Sequence, residues 1–112
     1  MQPIFPGHAE YQQQRYSEAL PKLLPVAERG NADAQTMLGT MYQMGLGVEV
    51  DEEKAQSWYE KASRQGYGIA TNNLAGMHLM NGETERGMQL YQLARDQGFE
   101  HTPADSIVLP QN

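Results

Sequence analysis

The chain has no cysteine, so neither a disulfide framework nor a thiolate nucleophile nor a cysteine zinc knuckle can be built from it. Apolar residues never run to the roughly 18 that a membrane-crossing helix needs. The opening MQPIFPGHAE also lacks the basic start and apolar stretch of a signal peptide. As written, the sequence reads as a soluble, cytoplasmic chain without an address, and a periplasmic or secreted form would read the same once its signal had been removed. Positive charge is scarce as well: eight basic side chains face fourteen acidic ones, a formal charge of −6. Such a balance repels phosphate backbones and anionic lipid, which sets aside nucleic acid and membrane insertion. At 112 residues the chain is expected to form one domain, 1–112.

What the chain does have is a repeat, and that decides the fold class. VAERG, KASRQG and LARDQG close at Gly30, Gly66 and Gly98, with spacings of 66 − 30 = 36 and 98 − 66 = 32 residues. Counting back eleven residues from each glycine gives Ala19, Ala55 and Gly87; seven gives Leu23, Tyr59 and Tyr91; four gives Val26, Ala62 and Ala94. These offsets trace one helical stripe. A second pattern follows Gly30 and Gly66: Ala34, Leu38, Gly39, Met41 and Tyr42 correspond to Ala70, Leu74, Ala75, Met77 and His78. Each unit therefore reads as two antiparallel helices, in an all-α chain. The helices are expected over 32–44 and 51–65, then 69–80 and 83–97, preceded by 17–29 and a fragment near 7–13. The shorter interval is a shorter link, in which MNGE replaces MGLGVEVD; a stack of hairpins tolerates such a change.

Helix-end chemistry agrees with these boundaries. Asp51, Glu52 and Glu53 suit the positive start of a helix, while Gly30, Gly66 and Gly98 suit left-handed caps beside Arg29, Arg64 and Arg95. Pro21 and Pro25 resist, because each removes a backbone hydrogen bond at a cost of about 3 kcal/mol unless a kink absorbs it. The helix around them is expected to bend or to begin later than drawn.

Catalytic and ligand-binding chemistries find little to work with. GLGVEVD has the glycines of a phosphate loop, yet the helix behind it opens on three acids that already occupy the dipole and repel phosphate. The loop is read as a turn, with Gly45 and Gly47 supplying special backbone angles and Val48 plugging the hairpin. His8, His78 and His101 lie in different units at spacings that suit no zinc site. Ser17, Ser57, Ser63 and Ser106 sit in no nucleophile elbow. His78 is expected to be a partly buried, hydrogen-bonded ring. Catalytic, metal and cofactor sites are accordingly all expected to be absent. A hydrolase working through Asp51 and Glu83 is the remaining enzymatic alternative, and it would need the two carboxylates within roughly 5–9.5 Å of one another.

Laid out in this order, residues 31 to 66, NADAQTMLGTMYQMGLGVEVDEEKAQSWYEKASRQG, resemble the Sel1-like repeat family, a relative of the tetratricopeptide repeats. The run A…LG..Y..G.GV..D..KA..WY.KA..QG occurs there nearly in register. Residues 67–98 are a degenerate unit with His78 in place of the tyrosine. Residues 5–30 look like a clipped first unit, and 99–112 like a tail or cap in which Ile107, Val108 and Leu109 cover the last apolar face. The resemblance implies an α-solenoid of antiparallel helix hairpins, about two and a half repeats in a right-handed superhelix. It implies a non-enzymatic adaptor or scaffold whose partner is another protein or peptide, or alternatively an immunity protein that neutralises a secreted bacterial effector. Uncovered repeat ends would allow weak self-association.

By the same resemblance, the first helix of each hairpin lines the concave face. Transferred from Leu38-Gly39, this assigns protein binding to Asp33, Thr36, Thr40, Gln43 and Met44, and to Ile69, Asn72, Gly76, Leu79 and Met80 in the degenerate unit. Such a groove is neutral, amide-rich and partly apolar, suited to an extended or helical peptide. Trp58 and Tyr59 match the family's packing aromatics. The methionines along 37–44 and 77–80 either fill gaps between small residues or offer adaptable contacts to a peptide.

Overall fold

A computed structural model describes residues 5–100. Six helices follow one another: α1 (His8–Gln12), α2 (Tyr16–Glu28), α3 (Ala32–Met44), α4 (Glu52–Arg64), α5 (Gly68–Met80) and α6 (Thr84–Asp96). They pack as sequential hairpins, each against the next along the chain, in a body 51 Å long and 23 Å across its shortest axis. The expected cap from Ile107, Val108 and Leu109 lies outside the described residues.

The repeat stripe is the core. Ala19, Leu23, Val26, Ala55, Tyr59, Ala62, Gly87, Tyr91 and Ala94 are all buried, as are Ala34, Leu38 and Met41 with their equivalents Ala70, Leu74 and Met77. The core divides into two clusters. One joins α2 to α3 through Leu23, Val26, Leu38 and Met41; the other joins α4, α5 and α6 through Tyr59, Leu74, Leu90 and Tyr91. Met41 and Met77 therefore fill gaps between small residues, while Met44 and Met80, one turn further on, are 64% and 80% exposed. Trp58 lies half-buried against the first cluster with Lys61 over its ring at 5.0 Å.

Small residues set the spacing between helices. A Cβ on Gly39 would stand 2.5 Å from the Tyr59 ring, so the absence of a side chain there lets α4 close on α3. Two helix starts are capped by side chains: Asp51, as expected, accepts from the Lys54 N–H at 3.0 Å, and Asn31, for which no capping role was expected, accepts from the Ala34 N–H at 2.9 Å.

The α2 start departs from expectation. This helix begins at Tyr16, one residue before the predicted start rather than after it, and runs through both prolines to Glu28. Pro21 and Pro25 leave the Ser17 and Pro21 carbonyls without their helical donors, but all three residues are exposed, so water can replace the missing N–H groups.

The GLGV loop is a packed joint. Gly45 caps α3 with φ of 73°, and Gly47, with φ of 74°, lies so close to α2 that a Cβ would meet the Tyr16–Ser17 backbone at 2.8 Å. Leu46 and Val48 turn inward onto the first core cluster, and the Asp51 N–H returns to the Tyr42 carbonyl at 2.8 Å. The side-chain direction of Gly47 is thus filled by α2. Among the described residues no helix is long and apolar enough to cross a membrane.

Candidate functional site

The residues assigned to the groove fall into three environments. Thr36 is buried and its hydroxyl donates to the Ala32 carbonyl of its own helix at 2.8 Å, which takes it out of any contact surface. Thr40 and Gln43 are drawn together by a core aromatic. The Tyr59 hydroxyl donates to Gln43 Oε1 at 2.8 Å and shares a 3.0 Å bond with Thr40 Oγ1. Burial pushes the Tyr59 phenol above its usual range, with the Thr40 bond opposing. Tyr59 is therefore a neutral donor that fixes the side-chain direction of Gln43.

Asp33 is exposed at the start of α3 and accepts a short hydrogen bond from the Tyr67 hydroxyl, which spans from one hairpin to the next. Burial first, and then the bond to Asp33 and its negative charge, push the Tyr67 phenol up to about 12. One repeat later the same two positions hold Ile69 (33 + 36) and Phe99 (67 + 32), so a polar strut gives way to an apolar pair lining one cleft. Ile69 is 44% exposed.

In α5, Asn72 is half-buried with its Oδ1 buried and without a hydrogen-bond partner. Gly76 is half-buried, with the Tyr91 hydroxyl 3.6 Å from where its Cβ would be. Leu79 packs onto the second core cluster and over Gly87. Met44 and Met80 project to solvent. Gln43 and Met80 meet in a cleft of 220 Å³ that also takes in Glu52, Met77 and Asn81. The repeat comparison, which follows first helices, does not single out Glu52 or Asn81, since they belong to the start of α4 and the link after α5.

The QG ends of the repeats carry a second polar arrangement, one of a structural kind. Gln65 donates to the Gly30 carbonyl at 2.8 Å and to Gln35 Oε1 at 3.0 Å, and Gln35 donates to the Ala27 carbonyl at 3.0 Å. One repeat on, Gln97 donates to the Ser63 carbonyl at 3.2 Å and accepts from Thr71 Oγ1 at 2.5 Å, with Ser63 Oγ also 2.5 Å from Thr71. Each glutamine ties the end of its hairpin to the hairpin before.

The acids singled out in the sequence as a hydrolase pair are engaged in local contacts. Asp51 is spent on its helix cap, and Glu83 pairs with His78 Nδ1 at 2.8 Å, leaving that half-buried ring hydrogen-bonded as expected. Among the described residues no three His, Asp or Glu side chains converge as metal ligands would. The exposed chemistry is that of contact: amides, thioethers and scattered carboxylates.

The family model for the Sel1 repeat matches residues 32–67 and 68–99. A crystal structure of a Sel1 repeat protein from Oxalobacter formigenes superposes with a TM-score of 0.75 at 30% identity, over 84% of this chain and 40% of that one. A sel1-like repeat-containing protein of Acanthamoeba polyphaga mimivirus is 30% identical over 84 residues, 71% of this chain. Chitin synthase regulatory factor 3 of Schizosaccharomyces pombe is 36% identical over 67 residues, and the Sel1-repeat-containing protein YjcO of Escherichia coli 44% over 55, or 60% and 46% of this chain. The chain spans 16%, 7% and 22% of these three relatives. With hairpins, repeat lengths and sequence in agreement across residues 32–99, the chain belongs to the Sel1 repeat family.

Proposed function

We propose that this chain is a non-enzymatic interaction module that binds a segment of another protein along the face formed by the first helices of its hairpins. Sel1 repeats generally serve as protein-interaction scaffolds and are typically non-catalytic, and that family context supports this class of function. The observation that carries the reading further is the pairing of Met44 with Met80. They occupy equivalent positions 36 residues apart, and both remain solvent-exposed while their neighbours Met41 and Met77 are buried. Unbranched, polarizable side chains repeated along a solenoid provide adaptable contacts for a peptide. Asp33, Gln43 and Ile69 extend the same face, whereas Thr36 and Leu79 are committed to packing.

The test is affinity capture from the native cell with wild type and with Met44→Arg and Ile69→Arg, both on exposed side chains that leave the core untouched. Loss of a specific captured protein in variants whose thermal melts match wild type supports the reading. Undiminished capture by both variants removes it.

A further inference from the structure

The cleft shared by Gln43, Glu52, Met77, Met80 and Asn81 has a composition that selects its occupant. At 220 Å³ it is smaller than the roughly 300–1,000 Å³ of pockets that hold cofactors or drug-sized ligands. It matches a single side chain better than a whole small molecule. Met77 is buried and Met80 is exposed, so their thioethers offer an apolar wall running from the inside of the cleft to its rim. Glu52 contributes a carboxylate that, among the described residues, forms no ion pair, although its helix opens with two glutamates. Gln43 turns its Oε1 toward the Tyr59 hydroxyl, and an amide oxygen that accepts one hydrogen bond keeps a second lone pair. Asn81 adds an exposed amide at the rim.

Resting on the interaction reading above, we propose that this cleft receives a lysine or arginine side chain from a basic segment of the partner protein. A long cationic side chain lays its methylenes along the methionines and carries its charge to Glu52, with the Gln43 and Asn81 carbonyls as further acceptors. A purely apolar side chain would strip water from Glu52 and return no hydrogen bond. An acidic one would be repelled. The charge of the chain acts in the same direction: its formal charge of −6 steers basic partners inward, and among the described residues Glu49, Glu53 and Glu85, near the starts of α4 and α6, are likewise without ion pairs.

The experiment titrates the full chain with four alanine-based peptides that differ at one central residue (lysine, arginine, norleucine or glutamate), following methionine methyl and side-chain amide resonances. Saturable shifts of Met77, Met80, Gln43 and Asn81 with the lysine or arginine peptide, absent with norleucine and glutamate, are expected. Glu52→Gln should weaken that binding about tenfold, the worth of one charge-assisted hydrogen bond, and Met80→Ala should weaken it as well. Equal binding of the norleucine peptide, no shift with any peptide, or an unchanged affinity in Glu52→Gln overturns the proposal. Native partner capture that survives Glu52→Gln but not Met44→Arg overturns it too, while leaving the broader interaction reading in place.

Discussion

Thr71 and Gln97 are held 2.5 Å apart between the start of α5 and the end of α6, and the same contact is made one repeat earlier by Gln35 and Gln65 at 3.0 Å. Because Thr71 is fully buried, its hydroxyl has no access to water when a partner is lost. Thr71→Val, which keeps the volume, leaves Ser63 Oγ and Gln97 Oε1 each without one hydrogen bond. A loss of about 1–3 kcal/mol in unfolding free energy is expected in urea titration. Gln65→Ala, at an exposed position where water can substitute, should cost less.

Gly39 and Gly76 predict opposite signs for the same substitution. Both lie inside helices, where alanine is favoured over glycine by about 1 kcal/mol. At Gly39 a Cβ meets the Tyr59 ring at 2.5 Å, and that ring is buried and tied to Thr40 and Gln43, so overpacking of about 1–3 kcal/mol outweighs the gain. At Gly76 the nearest atom is 3.6 Å away, an ordinary contact. Calorimetry should show a lowered Tm for Gly39→Ala and a raised one for Gly76→Ala.

Asn72 stands where the preceding repeat has Thr36 (72 − 36 = 36). Thr36 satisfies its hydroxyl on the Ala32 carbonyl four residues back, and the equivalent acceptor in α5 is the Gly68 carbonyl. Asn72 instead leaves its buried Oδ1 unpaired. Asn72→Thr is therefore expected to stabilise the chain by about 1 kcal/mol, the penalty of one orphaned polar group. A lower denaturation midpoint in the variant would contradict this.

Tyr67 predicts an alkaline dependence. Its phenol is pushed up from an ordinary 10.0 to about 12 in the folded chain, so the folded state holds the proton more tightly than the unfolded state. The stability linked to that proton is fully present below pH 10 and is lost as pH rises through about 12. Tyr67→Phe lacks this contribution. Its unfolding free energy should fall less steeply over that window, with Tyr11, Tyr59 and Tyr91, whose phenols burial also raises, contributing to the remaining slope.

Much of this architecture could be read along the chain because a hairpin repeat writes its core at fixed offsets. Ala19, Leu23 and Val26 align with Ala55, Tyr59 and Ala62 by counting back from a glycine, and a helix of 3.6 residues per turn must bring such positions to one face. Helix ends were equally local. Asn31 and Asp51 cap within three residues, and Gly45 ends a helix by its own backbone freedom. The prolines of α2 misled about where the helix starts, because a propensity penalty counts the lost bonds, and burial alone tells whether the freed carbonyls face water.

The contact surface was less legible for the same reason. A helical register places Thr36 and Thr40 near one face, but it cannot tell that Thr36 turns its hydroxyl to its own backbone while Thr40 is gathered in by Tyr59, nineteen residues away. Nor does it bring Gln43 and Glu52 beside Met77 and Met80, because the two pairs belong to different hairpins and meet only where those hairpins stack. The amino-acid order by itself determined the repeat, the helices and the side of each helix that is buried, since these depend on interactions within a turn or two of chain. Which polar groups are spent on holding the hairpins together, and which are left for a partner, was decided only by the tertiary packing, because hydrogen bonds and clefts between repeats depend on distances that no local pattern encodes.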